Sequence, residues 1–341
     1  MKKAIFLDRD GTINVEKDYI YKSEDLVFEE GSIEALKTFK NLGYILIVVS
    51  NQSGIARGYF TEEDLSVFNN NMNEILKKNG VEITEFYCCP HHPDGIGKYK
   101  KICECRKPNN KMIEDAIKKY NIDREKSYMI GDKTSDIGAG LKSNLKTVLV
   151  KTGYGLKDME KVDKNETLIY ENLKDFSEIL KREKLNELIF EEFSKKVQIK
   201  NVVMDSRKVI EGSLFFAINN GNSYVKDVLD KGASLVIADN TDIKDKRVIK
   251  VTDTIATMQD LATKYRNKLD IQVVGITGSN GKTTTKDIVY SLLSVKAKTL
   301  KTEGNYNNHI GLPYTLLNVT DEEKFVVLEM GMSSLGEIRR L

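Results

Sequence analysis

No apolar run in this chain approaches the ~18 residues that a membrane span needs; the longest, Tyr44 to Val49, has the length of a strand. An excess of one charge is missing as well. Lys and Arg number 53 against 51 Asp and Glu, a formal net charge of +2, and the basic residues are scattered rather than striped. Composition therefore makes no case for nucleic-acid or membrane binding and leaves small anionic substrates open. No internal repeat is visible, and no segment is of low complexity apart from a modest enrichment in Lys and Asn. A cleaved leader is not expected either, because Met1-Lys2-Lys3 runs directly into the first strand-like run, and the expected location is cytoplasmic. Cysteine is scarce and local. Cys88, Cys89, Cys103 and Cys105 are the only four, and His91 and His92, two of the three histidines, lie among them. In a reducing compartment such clustering points to a metal rather than to disulfides.

A chain of 341 residues is expected to form two or three domains. Strand-like runs recur at Ala4 to Asp8, Tyr44 to Ser50, Ile83 to Cys88, Ser127 to Gly131 and Lys146 to Val150. Helical patterns separate most of them, at Ser32 to Leu42, Thr61 to Lys78, Pro108 to Tyr120 and Ser135 to Leu141; Thr61-Glu62-Glu63-Asp64 reads as an N-cap with an acidic first turn. Strand alternating with helix predicts an α/β fold with a doubly wound parallel sheet. From Leu156 to about Lys200 the chain is charged and helical in pattern, which places a boundary near Arg182. A second organisation of short β-like stretches begins at Val197, and a third at Ile271. The expected domains are thus 1–182, a doubly wound domain; 183–269, a small α/β domain; and 270–341, a partial P-loop α/β domain.

Ala4-Ile5-Phe6-Leu7 leads into Asp8-Arg9-Asp10-Gly11-Thr12, a buried strand delivering two carboxylates at its carboxyl end. Parallel sheets place their chemistry there. A second strand ends in Ser50-Asn51-Gln52-Ser53, whose hydroxyls and amides suit phosphate oxygens, and a third ends in Gly131-Asp132 with Asp136 four residues on. Arg106-Lys107-Pro108 adds a cationic step before a helix. Gathered at one sheet edge, these groups make a site for a metal-bound phosphate. Asp8, the Asp10 main-chain carbonyl and Asp132 would hold Mg2+, and Lys107 would offset charge on the transferring group. Asp8 would attack as nucleophile; Asp10 would protonate the leaving alkoxide and then activate water.

These four motifs together resemble the haloacid dehalogenase superfamily, most closely the D-glycero-D-manno-heptose 1,7-bisphosphate 7-phosphatase group, with histidinol-phosphate phosphatase as its near relative. The resemblance covers residues 1 to about 180. It implies a sugar-phosphate phosphatase working through an aspartyl-phosphate, with Asp8, Asp10, Ser50 and Lys107 catalytic. Glu16, Tyr19, Asn51, Gln52, Ser53, Arg106 and Lys133 would meet the substrate. Asn14-Val15 and Tyr19 favour the heptose enzymes, although Asp18 stands where that group carries glycine. Cys89-x-His91 and Cys103-x-Cys105 supply three thiolates and an imidazole, a tetrahedral set for zinc. Their spacing resembles the zinc loop of the same group, and a closed four-ligand site implies a structural ion that positions Arg106 and Lys107. Cys88 and His92 are left to packing and loop contacts.

A second constellation, Gly275-Ile276-Thr277-Gly278-Ser279-Asn280-Gly281-Lys282-Thr283-Thr284, follows a strand and opens a helix. Amides of such a loop, here around Gly278, Asn280, Gly281 and Thr284, cradle phosphates; Lys282 would reach their oxygens and Thr283 would meet a metal ion. The loop resembles that of the Mur ligases. Asp205-Ser206-Arg207-Lys208 and Gly304-Asn305-Tyr306-Asn307-Asn308-His309 resemble the ligase that joins D-alanyl-D-alanine to UDP-N-acetylmuramoyl-tripeptide, which implies Glu329 as a further metal ligand and ATP and a UDP-sugar peptide as partners. Only about 60 residues follow Thr283, so a complete ligase activity is not expected. The oligomeric state is not legible.

Overall fold

The computed structural model describes residues 1–194 and 199–331. Two compact units divide the chain, Met1–Lys181 and Arg182–Leu341. Val197, the expected start of the second organisation, lies outside the described residues, as do residues 332–341. Among the described residues no helix is long and apolar enough to cross a membrane.

Unit 1 runs β1 (Lys3–Leu7), α1 (Ser32–Asn41), β2 (Tyr44–Asn51), α2 (Ser53–Ala56), α3 (Glu62–Lys78), β3 (Glu85–Cys89), α4 (Lys111–Tyr120), β4 (Tyr128–Gly131), α5 (Thr134–Lys142), β5 (Lys146–Val150), α6 (Gly155–Asp158) and β6 (Thr167–Tyr170). It ends in the first part of α7 (Leu173–Ser194). The sheet is parallel with order β3-β2-β1-β4-β5-β6, so β1 lies between β2 and β4, at the point where the winding reverses. Alternation along β1 divides the core. Ile5 and Leu7 face one side with Leu46, Val48, Ile130 and α3's Phe68, Met72 and Leu76; Ala4 and Phe6 face the other with Ile47, Val49 and α4's Met112, Ile113 and Ala116. Both faces are covered, which is why these strands read as continuous apolar runs. The α3 start is the expected cap: Thr61 Oγ1 accepts from Asp64 N at 3.1 Å, and Asp64 Oδ2 accepts from Thr61 N at 2.9 Å.

Two expectations need correction. The stretch from Leu156 onward is not simply helical, because Thr167–Tyr170 pairs with β5, Thr147 opposite Thr167. A four-residue edge strand is too short for a period to show among charged neighbours. The helix expected from Pro108 begins at Lys111. Asn109 is occupied in closing the preceding loop, donating from N to Arg106 O and from Nδ2 to Cys103 O.

Unit 2 holds two parallel sheets. β7 (Asn201–Val203), β8 (Ser213–Phe216), β9 (Leu235–Ala238) and β10 (Val248–Lys250) form the first, with α8 (Val225–Asp230) packed on it and α9 (Thr254–Lys268) following. The second has order β11-β13-β12, from β11 (Gln272–Ile276), β12 (Thr299–Lys301) and β13 (Phe325–Glu329), with α10 (Lys282–Lys296) and α11 (Gly311–Leu317) between them in sequence. One cluster serves both sheets, joining Leu214 and Ile237 to Val326 and Leu328 through Met258 and Leu261 of α9 and Leu312 of α11. Asn318 pins the junction, accepting from Val202 N at 3.1 Å and donating to Val202 O at 3.1 Å.

Candidate active site

Because β1, β2 and β4 are neighbours, Asp8, Ser50 and Asp132 come out at one sheet edge. Lys107 reaches them from the loop before α4. Its ammonium lies 2.9 Å from Asp8 Oδ1 and 2.6 Å from Asp136 Oδ1, and donates to Val49 O at 2.6 Å. Burial opposes this charge, but Asp136 and Asp8 outweigh it and hold the Lys107 pKa above its ordinary value. Asn51 fixes the lysine from behind, its Oδ1 accepting from Lys107 N and its Nδ2 donating to Lys107 O, both at 3.0 Å.

Asp8, Asp132 and Asp136 each offer an oxygen within 4.8 Å of the others, and all three are buried. Burial first, then the charges of Asp8 and Asp136, push Asp132 up to about 8. Asp136 is pushed up to about 6, by burial and Asp8 against the pull of Lys107. Asp132 Oδ2 accepts from Tyr154 N at 2.8 Å, while its Oδ1 is buried with no hydrogen-bond partner among the described residues. An orphaned carboxylate oxygen among crowded like charges fits a divalent cation, which would relieve both. Gly11, at φ +80°, is needed here, since a Cβ would run into Asp132 Oδ2.

Asp10 faces a different environment. Its Oδ1 accepts from Arg9 Nε and Asn14 Nδ2, both at 3.0 Å, and its Oδ2 from Arg9 Nη2 and Gln52 Nε2, both at 2.9 Å. Burial would raise its pKa, but Arg9 above all, with Asn14 and Gln52, holds it below the usual carboxylate value. The Asp10 carboxylate is therefore not part of the acidic cluster. Ser50 Oγ is buried and accepts from Gln52 Nε2 at 2.9 Å.

Above these groups opens a cavity of about 320 Å³. Asp8, Asp10, Ser50 and Lys107 line it, and so does every residue expected to meet the substrate: Glu16, Tyr19, Asn51, Gln52, Ser53, Arg106 and Lys133. Lys133 Nζ lies 2.8 Å from Glu16 Oε2 and over the Tyr154 ring. Sequence reasoning missed Arg9, Tyr154 and the full part of Asp136. The sequence assigns Arg9 no role and places Asp136 only as four residues past Asp132; spacing of one helical turn past a strand end was the signal available for it.

Between β3 and α4 the zinc-type ligands converge. Cys105 Sγ lies 3.1 Å from Cys89 Sγ and 3.2 Å from Cys103 Sγ; Cys89 and Cys103 are 3.4 Å apart, and His91 Nδ1 is 3.4 Å from Cys105 and 3.8 Å from Cys89. Four donors on a tetrahedral zinc with ~2.3 Å Zn–S bonds stand ~3.8 Å apart, so the set needs little adjustment to close on the ion. Cys88 stays outside, near Asn69, and His92 Nδ1 accepts from Asp94 N. Arg106 Nη1 donates to His91 O, which ties the loop to the cavity.

In unit 2, Gly281 at φ +75° turns the chain into α10, and the pairing of Ile276 with Glu329 brings the β13 carboxylate beside the loop. Glu329 accepts from Thr283 Oγ1 and from Asn307 Nδ2, each at 3.0 Å, and Lys286 Nζ lies 3.6 Å away. Lys282 Nζ donates to Gly278 O at 2.7 Å, and Asn280 and Thr284 are exposed at the loop.

Residues 104–176 match the HAD-hydrolase-like family, and residues 276–341 the Mur ligase middle domain. Over 182 residues the chain is 46% identical to the D-glycero-beta-D-manno-heptose-1,7-bisphosphate 7-phosphatase of Pasteurella multocida, covering 53% of this chain and 98% of that protein. Among solved structures, D,D-heptose 1,7-bisphosphate phosphatase from B. bronchiseptica, complexed with magnesium and phosphate, is similar at 30% identity, 53% of this chain, 99% of that chain and a TM-score of 0.49. MurF ligase from Thermotoga maritima, in complex with ADP, is similar at 36% identity over 42% of this chain, with a TM-score of 0.39. The match spans 35% of that ligase.

Proposed function

Through its first half the chain belongs to the D-glycero-D-manno-heptose-1,7-bisphosphate 7-phosphatase family, and on that premise we propose that it hydrolyses the 7-phosphate of D-glycero-D-manno-heptose 1,7-bisphosphate. It is a phosphoric monoester hydrolase of the haloacid dehalogenase type. The observation that carries the reading is the shared ammonium of Lys107, buried between Asp8 and Asp136 under a polar cavity. Such an ammonium offsets charge on a phosphoryl group brought against Asp8.

Asp8 is the nucleophile, and Ser50 and Lys107 hold the phosphoryl oxygens. Asp10, a carboxylate in the free site, takes the proton of the monoanionic phosphate ester, passes it to the leaving sugar oxygen and then accepts one from the water that opens the aspartyl-phosphate. Asp8, Asp132 and the Asp10 main-chain carbonyl, with Asp136 beside them, would hold Mg2+, which when bound would supply Lewis-acid stabilisation of the phosphoryl oxygens. Cys89, His91, Cys103 and Cys105 would hold Zn2+ in a structural role. Glu16, Tyr19, Asn51, Gln52, Ser53, Arg106 and Lys133 surround the sugar. Parallel assays of heptose bisphosphate and histidinol phosphate test the substrate: preference for the first is expected, and preference for the second would transfer the chain to the histidinol-phosphate reading. Asp8→Asn is expected to lower kcat at least about 1,000-fold; substantial residual turnover would remove Asp8 from the role.

The Thr283–Glu329 contact beside a glycine turn favours a second reading for residues 183–269 and 270–341, a UDP-sugar-binding-like domain and part of an ATP-binding domain. Lys282 and the amides around Gly278, Asn280, Gly281 and Thr284 would take ATP phosphates, and Thr283 with Glu329 the metal ion. Calorimetry of the whole chain with MgATP is expected to give saturable binding that Lys282→Ala abolishes; a flat titration would remove the reading. A phosphorylated-sugar substrate, an ATP site and four reduced cysteines together support a cytoplasmic setting.

A further inference from the structure

Arg9 takes no part in the chemistry just described, yet it is fully buried at the most crowded point of the site. Nε and Nη2 donate to the two oxygens of Asp10, a fork that fixes the plane of the carboxyl as well as its place. Asn14 and Gln52 each hold one oxygen; Arg9 alone spans both. The guanidinium is held in turn. Nη1 donates to Asn69 Oδ1 at 3.2 Å, Nη2 to Ile20 O at 3.0 Å, and Cζ lies 4.5 Å from the Phe68 ring centroid. Phe68 and Asn69 belong to α3, the helix with the capping box. A buried ion pair seldom adds stability over apolar packing of the same volume, so stability is a weak explanation for this one.

We propose that Arg9 is a positioning residue that sets the orientation in which the Asp10 carboxyl meets the oxygen leaving phosphorus. The proposal rests on the reading of Asp10 as proton carrier. The monoanionic phosphate ester first gives its proton to the Asp10 carboxylate; as the bond from Asp8 Oδ to phosphorus forms and the bond to the leaving oxygen breaks, that proton passes to the leaving oxygen. Water then adds to phosphorus, its proton passes to Asp10, and Asp8 departs as a carboxylate. An alkoxide needs that proton to leave, whereas 4-nitrophenolate does not. Misorienting Asp10 therefore weighs on alkyl esters and spares aryl ones.

The test compares kcat/KM, which reports the steps through leaving-group release, for heptose bisphosphate and 4-nitrophenyl phosphate in the full chain carrying Arg9→Met, Arg9→Lys or Asn69→Ala. Arg9→Met is expected to lose about 30-fold on the sugar ester and only about threefold on the aryl ester. Arg9→Lys, which keeps the charge without the fork, is expected to lose about tenfold on the sugar ester, and Asn69→Ala about fourfold. Equal losses on the two esters would overturn the proposal and leave Arg9 a scaffold residue. If Arg9→Met does not fold, the other two variants carry the same comparison. A wild-type chain active on 4-nitrophenyl phosphate but not on heptose bisphosphate would sink the substrate reading alone, and glycerol 2-phosphate then serves as the alkyl ester.

Discussion

Asp10 and Asp132 lie beyond neighbouring strands, and burial disfavours the charge of both, yet their proton affinities move in opposite directions. Arg9 supplies Asp10 with a fixed cation, whereas Asp132 sees Asp8 and Asp136. With the cation absent, the folded chain holds a proton on Asp132 up to about 8, while the unfolded chain releases it near the ordinary 3.8. Between those values the folded state binds more protons, so this group's contribution to stability falls as pH rises and is level beyond the upper value. Mg2+ bound at the cluster would remove the penalty by taking the proton's place. The difference in melting temperature between Mg2+ and EDTA is therefore expected to widen from pH 5 to pH 8, read by thermal denaturation; a difference independent of pH would contradict the acidic cluster as the cation site. The pair Asp8 and Asp10 was legible as chemistry because one strand delivers both. That Asp136 joins the cluster was not, because Lys107 meets it through a contact that spacing does not encode.

The loop from β3 to α4 is the element on which the cavity wall depends. It contributes Arg106 and Lys107 yet holds little core of its own, so its order rests on the Cys89, His91, Cys103 and Cys105 set and on the Asn51 clamp. Removing zinc with a strong chelator is expected to lower kcat/KM on the sugar ester about tenfold or more and to open the loop to protease, with one equivalent of zinc per chain lost. Full activity in a chain shown to be free of zinc would contradict the structural role. The ligand candidates were legible because Cys and His at short spacing leave few alternatives, and in the structure Cys88 lies near Asn69 while His92 accepts from Asp94 N. The strand β6 was illegible. Thr167–Tyr170 carries too few residues for a period, and only its pairing with β5 makes it a strand.

At the scale of the molecule, each unit carries its own apolar cores, Phe6 and Phe39 among those of the first, Phe216 and Met258 among those of the second. Scanning calorimetry is expected to resolve two transitions, only one of which moves when EDTA replaces Mg2+ in the absence of nucleotide. A single transition would show that the cores melt together. What the sequence determined by itself is the succession of strands and helices in the first unit as far as β5, apart from the short α2, together with the acidic pair, the Cys and His ligand candidates and the glycine-rich loop before α10. Each is written in a short contiguous run whose period or spacing is local. Only the tertiary structure decided which strand ends are neighbours, and hence that Lys107 spans Asp8 and Asp136, that Asp132 keeps an unpartnered oxygen, and that Arg9 is buried against Phe68 with its fork on Asp10. The physical reason is that the burial of these positions, and the ion pairs among them other than that of the adjacent Arg9 and Asp10, arise from residues distant in sequence, and such fields exist only once the sheet has brought its strand ends together.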